Sequence, residues 1–225
     1  MPTPTVRVRV WDLPTRLFHW VLAGCVLGSV TSAKIGGNAM AWHFRFGFAV
    51  FTLLAFRLLW GFVGGRWSRF ASFVYAPSTL RRYLRGSARA GEPLEVGHSP
   101  VGALSVFALL GLLALQVGTG LFADDEISST GPLVRFVSEA TSHALTGWHK
   151  RWGQGLILAL VALHVLAIVA YARRGKRLVP AMISGDKELP AAVPASADGA
   201  AQRLLAAALL ALCGAGVAWL VSLGG

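Results

Sequence analysis

The sequence GWHKRWGQGLILALVALHV, residues 147–165, places two histidines in one long apolar stretch. A helix that crosses a bilayer needs about 20 mostly apolar residues, and one that faces only lipid has no use for imidazole side chains. His149 and His164 lie fifteen residues apart, which is about 22 Å along a helix, with an angular offset of about 60°. Both rings can therefore project from one face of a membrane-spanning helix, at two different depths.

The composition of the whole chain also indicates a membrane protein. Of 225 residues, 55% are hydrophobic and 14% are charged, and the mean hydropathy is +0.59, whereas about 25% of the residues in soluble domains are charged. The composition therefore predicts an integral membrane protein in contact with lipid. In a soluble protein the net charge of +11 would suggest nucleic acid. Here the arginines lie between apolar segments, where membrane topology explains them, so we expect no nucleic-acid partner.

The apolar segments predict the fold class. Five of them meet the length criterion for a spanning helix: 17–34, 41–64, 101–122, 149–172 and 203–223. They predict an all-α integral membrane protein, with a four-helix transmembrane bundle in residues 1–185 and a fifth, C-terminal transmembrane helix in residues 203–225. Two prolines and a run of alanines predict a flexible linker over residues 186–202.

The basic residues predict the orientation of the chain. Arginine and lysine are concentrated in the N-terminal arm, in the connection 65–97 and in the segment after the fourth span. The third connection is acidic instead, with Asp124, Asp125, Glu126 and Glu139. Because cytoplasmic loops carry an excess of lysine and arginine, we expect the N-terminus in the cytoplasm and the C-terminus on the outer side.

In this orientation four histidines form two pairs that are matched in depth. His43 opens the second span and His149 the fourth, both at the outer side, whereas His19 and His164 lie towards the cytoplasmic side. A haem iron accepts one axial imidazole on each face, and a four-helix core offers a slot for a porphyrin. The pairs therefore predict two haems, each bound by two histidines. The chain has no C-x-x-C-H motif, so we expect non-covalent binding.

Two functions of other classes stay open at this point. A transition-metal ion transporter also uses histidines, but its ligands usually cluster around one ion, whereas these pairs lie far apart in depth. The predicted spans contain no carboxylate, and a cation would avoid Arg57 in the second span. A structural membrane anchor subunit would need none of the four histidines.

Two further residues are candidates for supporting roles. Arg57, towards the inner end of the second span, either donates hydrogen bonds to a haem propionate or reaches towards the lipid headgroups. His98 lies just before Pro100 at the start of the third span. It is a candidate for a quinone site or a propionate contact, with a solvated or helix-capping histidine as the alternative. His143 is expected in the outer loop, without a functional role.

Five motifs follow one another within residues 6–185: VWDLPTRLFHW, WHFRFGFAVFTLLAFRLLWGFVG, GHSPVGALSV, TGLFADD and LALVALHV. In this order and spacing they resemble the bacterial cytochrome b561 family, which includes the cytochrome b subunits of nickel-iron hydrogenases. The resemblance implies a four-helix bundle in the bacterial inner membrane that binds two b-type haems and exchanges electrons with quinones. The haem ligands that it implies are His19, His43, His149 and His164.

The fourth span departs from the family pattern in one respect. The two histidines of this span are usually one residue closer together in the family than His149 and His164 are here. A π-bulge, in which a helix accommodates one extra residue, is a known feature of functional sites. We therefore expect such a bulge near His149, and His143 is too far into the predicted loop to replace it.

These observations lead to one functional hypothesis. We expect a di-haem cytochrome that transfers electrons across the inner membrane, as an electron-transfer oxidoreductase subunit of a respiratory chain. Quinone or quinol would react on one side, and a separate redox protein would exchange electrons on the other. The chain has no substrate domain of its own, so we expect this partner to be a periplasmic c-type cytochrome or a dehydrogenase subunit. Whether the chain is itself a quinone oxidoreductase stays open.

Overall fold

The computed structural model describes residues 5–89, 91–127, 129–190 and 193–224. Its helices, in chain order, are α1 (Leu13–Ile35), α2 (Met40–Val63), α3 (Pro77–Leu84), α4 (Pro100–Gly120), α5 (Glu139–Gly147), α6 (Gln154–Arg173), α7 (Leu178–Ser184) and α8 (Ala200–Ser222). A π-helical segment, Trp148–Gly153, joins α5 to α6. Two short strands, β1 (Val6–Arg9) and β2 (Asp186–Leu189), pair in antiparallel fashion, with Val6 opposite Leu189.

Five helical segments within the described residues are long and apolar enough to cross a bilayer: Leu13–Ile35, Gly37–Val63, Pro100–Gly120, Glu139–Arg173 and Ala200–Ser222. The predicted fold class, an all-α integral membrane protein with five spanning helices, is confirmed. The third span begins at Pro100, where a missing backbone N–H costs nothing because the first turn of a helix has no internal acceptor for it.

The prediction for the start of the fourth span is wrong. The helical segment begins at Glu139 rather than at residue 149, because Ser138 caps α5 by accepting a hydrogen bond from the Thr141 backbone N–H at 3.3 Å. His143 consequently lies within α5 and not in a loop. His149 does not open the span but lies inside the π-helical segment, and the π-bulge expected from the sequence is confirmed.

The region expected to be a flexible linker also differs from the prediction. Asp186–Leu189 form β2, the Trp67 indole Nε1–H donates to the Pro194 carbonyl at 2.9 Å, and the Ser196 backbone N–H donates to the Arg9 carbonyl at 2.8 Å. Asp186–Leu189, Pro194 and Ser196 are therefore held by hydrogen bonds. The domain boundaries at 185 and 203 remain a prediction.

The residues group into two compact units. The first unit contains the chain up to Phe18, then Arg57–Phe107 and His164–Ala207, and the second contains His19–Phe56, Ala108–Leu163 and the chain from Ala208 onward. The first unit includes the paired strands and a buried apolar cluster: Val10, Trp11, Trp67, Val96 and Ala181.

Asp12 is the centre of a polar network in the first unit. Its side chain is completely buried. It caps α1 by accepting from the Thr15 backbone N–H at 2.8 Å. It also accepts hydrogen bonds from the Trp60 indole at 3.1 Å, the Gly65 backbone N–H at 3.1 Å and the Ser68 hydroxyl at 2.7 Å. This carboxylate thus connects the start of α1 with the end of α2 and the connection that follows.

Candidate cofactor site

A large cavity lies within the second unit. Its volume is about 670 Å³, and both His43 and His149 line it. This volume falls in the range of cofactor and small-molecule sites, roughly 300–1,000 Å³. We call it the His43–His149 cavity.

The two histidine rings of this cavity face each other across a short distance. Their centroids lie 5.9 Å apart and their planes are 88° to each other. An imidazole nitrogen bound to a transition metal lies roughly 2 Å from it, so two rings that share one metal have centroids about 6 Å apart. The spacing therefore fits two axial imidazoles on one iron, which is the donor set that a six-coordinate haem needs.

Backbone carbonyls hold both rings by their Nδ1 atoms. His43 Nδ1 lies 3.0 Å from the Ser29 carbonyl, and His149 Nδ1 lies 2.9 Å from the Gln116 carbonyl. Because a carbonyl can only accept, each Nδ1 carries a hydrogen, and in the neutral ring Nε2 then carries the lone pair. Histidine ligands of metals are usually oriented in this way, through the nitrogen that does not bind the metal. Both Nε2 atoms are thus in the form that ligates iron.

A glycine of α4 makes room for the His149 ring. A Cβ atom at Gly120 would lie 2.8 Å from His149 Cε1, so a larger residue at this position would displace the imidazole. Gly47 of α2 also lines the cavity, and a Cβ atom built on it would meet nothing within 4 Å. The backbone of α2 is therefore open to a flat ligand at Gly47, whereas Gly120 of α4 gives its space to the His149 ring.

The structure places the other predicted pair in different units. His19 belongs to the second unit and His164 to the first. Both are half-buried, and the His19 ring packs edge-on against Trp20 with their centroids 5.0 Å apart. That these two histidines share a haem stays a prediction.

Arg57 is buried in the first unit, with only 3% of its surface exposed. Its Nη2 donates to the Ser68 carbonyl at 3.0 Å, and its guanidinium carbon lies 4.8 Å from the centroid of the Phe70 ring. Nη1 is buried and has no hydrogen-bond partner among the residues that the structure describes. The burial excludes an arginine that reaches to the headgroups, and Nη1 is a donor suited to an anionic group.

His98 is enclosed by aromatic rings in the first unit. Its ring centroid lies 4.7 Å from that of Trp11 and 4.4 Å from that of Phe73, and its backbone carbonyl accepts a hydrogen bond from the Tyr75 hydroxyl at 2.8 Å. These contacts fix the connection before α4. A role of His98 at quinone stays a prediction.

His143 forms surface contacts. Its Nε2 lies 3.2 Å from a carboxylate oxygen of Glu126 and 3.9 Å from one of Glu139, and these side chains are exposed. In the described part of the chain, no three His, Cys, Asp or Glu side chains come together as a metal-ion site.

Sequence reasoning did not identify Ser29 and Gln116, whose carbonyls orient the two facing imidazoles. No side-chain pattern marks a residue that acts through its backbone oxygen. For Gln116 a signal exists, because a polar amide inside an apolar span usually faces the interior of a bundle.

Comparisons with known proteins agree with this geometry. The family model for the prokaryotic cytochrome b561 matches residues 10–185. The chain is also similar to the "Probable Ni/Fe-hydrogenase 1 B-type cytochrome subunit" of Escherichia coli strains K12 and O157:H7. It is 26% identical to each over 190 residues, which covers 69% of this chain and 80% of the relative. No solved structure shows a significant match.

Proposed function

The chain belongs to the prokaryotic cytochrome b561 family, a family of membrane-bound b-type cytochromes, and we propose from this premise that it binds two haems and carries electrons across the inner membrane. The observation that supports this most directly is the His43–His149 pair. Two imidazoles from different helices line one cavity at a spacing that suits a single iron. Their Nδ1 atoms are both held by backbone carbonyls, so a ligand bound by these rings would be bound through Nε2.

His43 and His149 would hold the first haem. A bound haem supplies one-electron chemistry at its iron, and the protein determines its ligands, its surroundings and hence its potential. The carbonyls of Ser29 and Gln116 make each imidazole a stronger ligand, because they draw on the hydrogen of the opposite ring nitrogen. Gly47 and Gly120 keep side chains out of the space beside the rings.

His19 and His164 would hold the second haem. Two half-buried histidines in spanning helices support this assignment, because ionisable side chains in spans normally have a functional role. Arg57 would donate from Nη1 to a propionate, since a buried guanidinium with an unused donor favours an anion within hydrogen-bonding reach.

The similar proteins suggest the class of redox partner. The similar Escherichia coli proteins carry the name of a hydrogenase subunit, which favours a dehydrogenase subunit as partner, with a periplasmic c-type cytochrome as the alternative. Quinone is the proposed partner within the membrane, on the side that carries His98. If His98 contributes to that site, the substitution His98→Ala slows haem reduction by quinol and leaves both haems bound; unchanged kinetics would remove His98 from the site.

The orientation is part of the proposal. The basic N-terminal arm and the basic connection 65–97 support a cytoplasmic location for both, and a periplasmic C-terminus. Reporter fusions within residues 65–97 should report the cytoplasm, and fusions at the C-terminus should report the periplasm. The reverse pattern would exchange the sides of both haems.

An absorption spectrum of the purified protein, oxidised and then reduced with dithionite, tests the proposed function. We expect the spectrum of low-spin b-type haem and two haems for each chain by quantitative pyridine haemochrome assay. A metal-ion transporter would instead contain bound zinc, copper or iron and show no haem spectrum. A structural anchor would show neither, and either result would overturn the proposal.

A further inference from the structure

Gln116 of α4 is bonded to His149 at both of its ends. The Gln116 carbonyl accepts from His149 Nδ1 at 2.9 Å, and the Gln116 side-chain Nε2 donates to the His149 carbonyl at 2.9 Å. One residue thus holds both the ring and the backbone of the histidine. The Thr119 hydroxyl lies 3.4 Å from the same Nδ1 and is a weaker second contact.

The carbonyl that accepts the second of these bonds belongs to the π-helical segment Trp148–Gly153. A π-helix replaces the usual i→i+4 pattern of backbone hydrogen bonds by i→i+5, which is less favourable and is found mostly as single turns. A side chain that inserts into the hydrogen-bond ladder of a helix is a known cause of such local changes. The Gln116 amide provides the His149 carbonyl with a donor from outside the helix, within the segment where the ladder changes.

The close approach of the Gln116 amide depends on a glycine. A Cβ atom at Gly153 would lie 1.9 Å from Gln116 Oε1, a distance that no real contact allows. Gly153 is buried at the end of the π-helical segment. Only a residue without a side chain at this position allows the amide to lie where it reaches the His149 carbonyl.

We propose that Gln116 is a positioning residue for His149: its amide sustains the π-helical segment, and the segment sets the direction from which His149 reaches the iron. The inference rests on the proposed function, in which His149 is a haem ligand. It adds that a side chain of α4, packed against the π-helical segment and distinct from the ligands, determines the coordination geometry at this haem.

The first test removes the amide. Gln116→Leu eliminates the donor, and Gln116→Met eliminates it while keeping an unbranched side chain, so the pair separates donation from space filling. Both variants keep the carbonyl that accepts from His149 Nδ1. We expect both to change the low-spin EPR signal of the His43–His149 haem and to release this haem to excess apomyoglobin about tenfold faster, the lower end of the range for residues that orient metal ligands. Gln202→Leu, the same change in α8, serves as control and should do neither.

The second test moves the amide and leaves it in the chain. Gly153→Ala introduces the Cβ atom that conflicts with Gln116 Oε1, whereas Gly155→Ala in α6 introduces one that meets nothing within 4 Å. We expect Gly153→Ala to reproduce the changes of Gln116→Leu in signal and in haem release. Gly155→Ala should match the wild type, although both substitutions raise helix propensity equally.

The outcomes separate this inference from the proposed function. If the wild type lacks a low-spin signal of two imidazoles that depends on His149, the proposed function itself fails. Suppose instead that the wild type has that signal, but that its g-values and the haem release rate do not change in the three variants Gln116→Leu, Gln116→Met and Gly153→Ala. In that case only the positioning role of Gln116 is overturned. A change in Gln116→Leu that Gln116→Met restores would assign the effect to packing, which also contradicts the proposal.

Discussion

The two units of the molecule use their buried polar groups in opposite ways. In the first unit, Asp12 accepts four hydrogen bonds from protein donors, and its carboxylate is completely buried. In the second unit, His43 and His149 are held by backbone carbonyls through Nδ1, and both side chains line a cavity. A network in which every group has a partner stabilises a fold, whereas oriented lone pairs beside a cavity bind a ligand. We therefore assign Asp12 to the stability of the fold and propose His43 and His149 as cofactor ligands.

Arg57 departs from this division. It lies in the first unit and is buried, yet one of its guanidinium nitrogens has no hydrogen-bond partner within the described part of the chain. Buried polar groups without partners are uncommon in native proteins, and each calls for an explanation. We infer that Nη1 of Arg57 donates a hydrogen bond to an anionic group, although the other buried polar groups of the first unit described above are structural.

The largest effect is expected from the structural network. Asp12→Ala would leave the Trp60 indole, the Gly65 N–H and the Ser68 hydroxyl without their acceptor, at a cost of about 1–3 kcal/mol for each buried donor. We expect the free energy of unfolding to fall by at least about 3 kcal/mol, together with a lower yield of folded protein. Reversible denaturation in detergent micelles measures this. A stability close to that of the wild type would mean that water can replace Asp12 and that the network is not structural.

Substitution of the ligands should affect the cofactor and spare the fold. His43→Ala and His149→Ala each remove one of the two imidazoles that face each other. We expect each variant to retain about one haem of two by pyridine haemochrome assay, since one of the two histidine pairs is untouched. Helical content by circular dichroism is the control. Full haem content in either variant would remove that residue from the ligand set.

The sequence was sufficient for the spans because hydropathy over about 20 residues is a strong signal. The first, second, third and fifth predicted spans begin and end within a few residues of the observed helices. The predicted fourth span began ten residues too late, because polar residues around Ser138 and Thr141 conceal a capped helix. The extra residue between His149 and His164 predicted the π-helical segment correctly. The support from the Gln116 amide and the hydrogen bonds that hold Pro194 and Ser196 were not predictable, because they depend on contacts between residues distant in sequence.

A smaller effect concerns Lys187 in the first unit. Its ammonium group donates to the carbonyls of Glu95 at 3.1 Å and Val96 at 2.7 Å, and burial lowers its pKa from 10.5 to about 8. Between these values the unfolded chain binds the proton that the folded chain has released, so the free energy of unfolding should rise with pH from about 8 to 10.5. Denaturation at several pH values checks this. Lys187→Met should abolish the rise and Lys34→Met, at an exposed lysine of the second unit, should keep it; an identical rise in both variants would assign it to other groups.

The smallest effect is expected at His143. Its contacts with Glu126 and Glu139 are exposed to solvent, and such pairs contribute roughly 0–1 kcal/mol. We expect His143→Ala to keep both haems and to change the free energy of unfolding by less than about 0.5 kcal/mol. Loss of a haem in this variant would mean that His143, and not His149, faces His43 in the membrane-bound protein.

The most direct test of the account is the low-temperature EPR spectrum of the oxidised protein and of two variants, His43→Ala and His149→Ala. The facing rings are 88° to each other, and nearly perpendicular imidazole planes leave two d orbitals of low-spin ferric iron almost equal in energy, which gives a strongly anisotropic signal. The account predicts such a signal in the wild type, its disappearance in both variants, and a second low-spin signal that persists in each. If His43→Ala and His149→Ala eliminate different signals, the two histidines do not share one haem, and the central claim is contradicted.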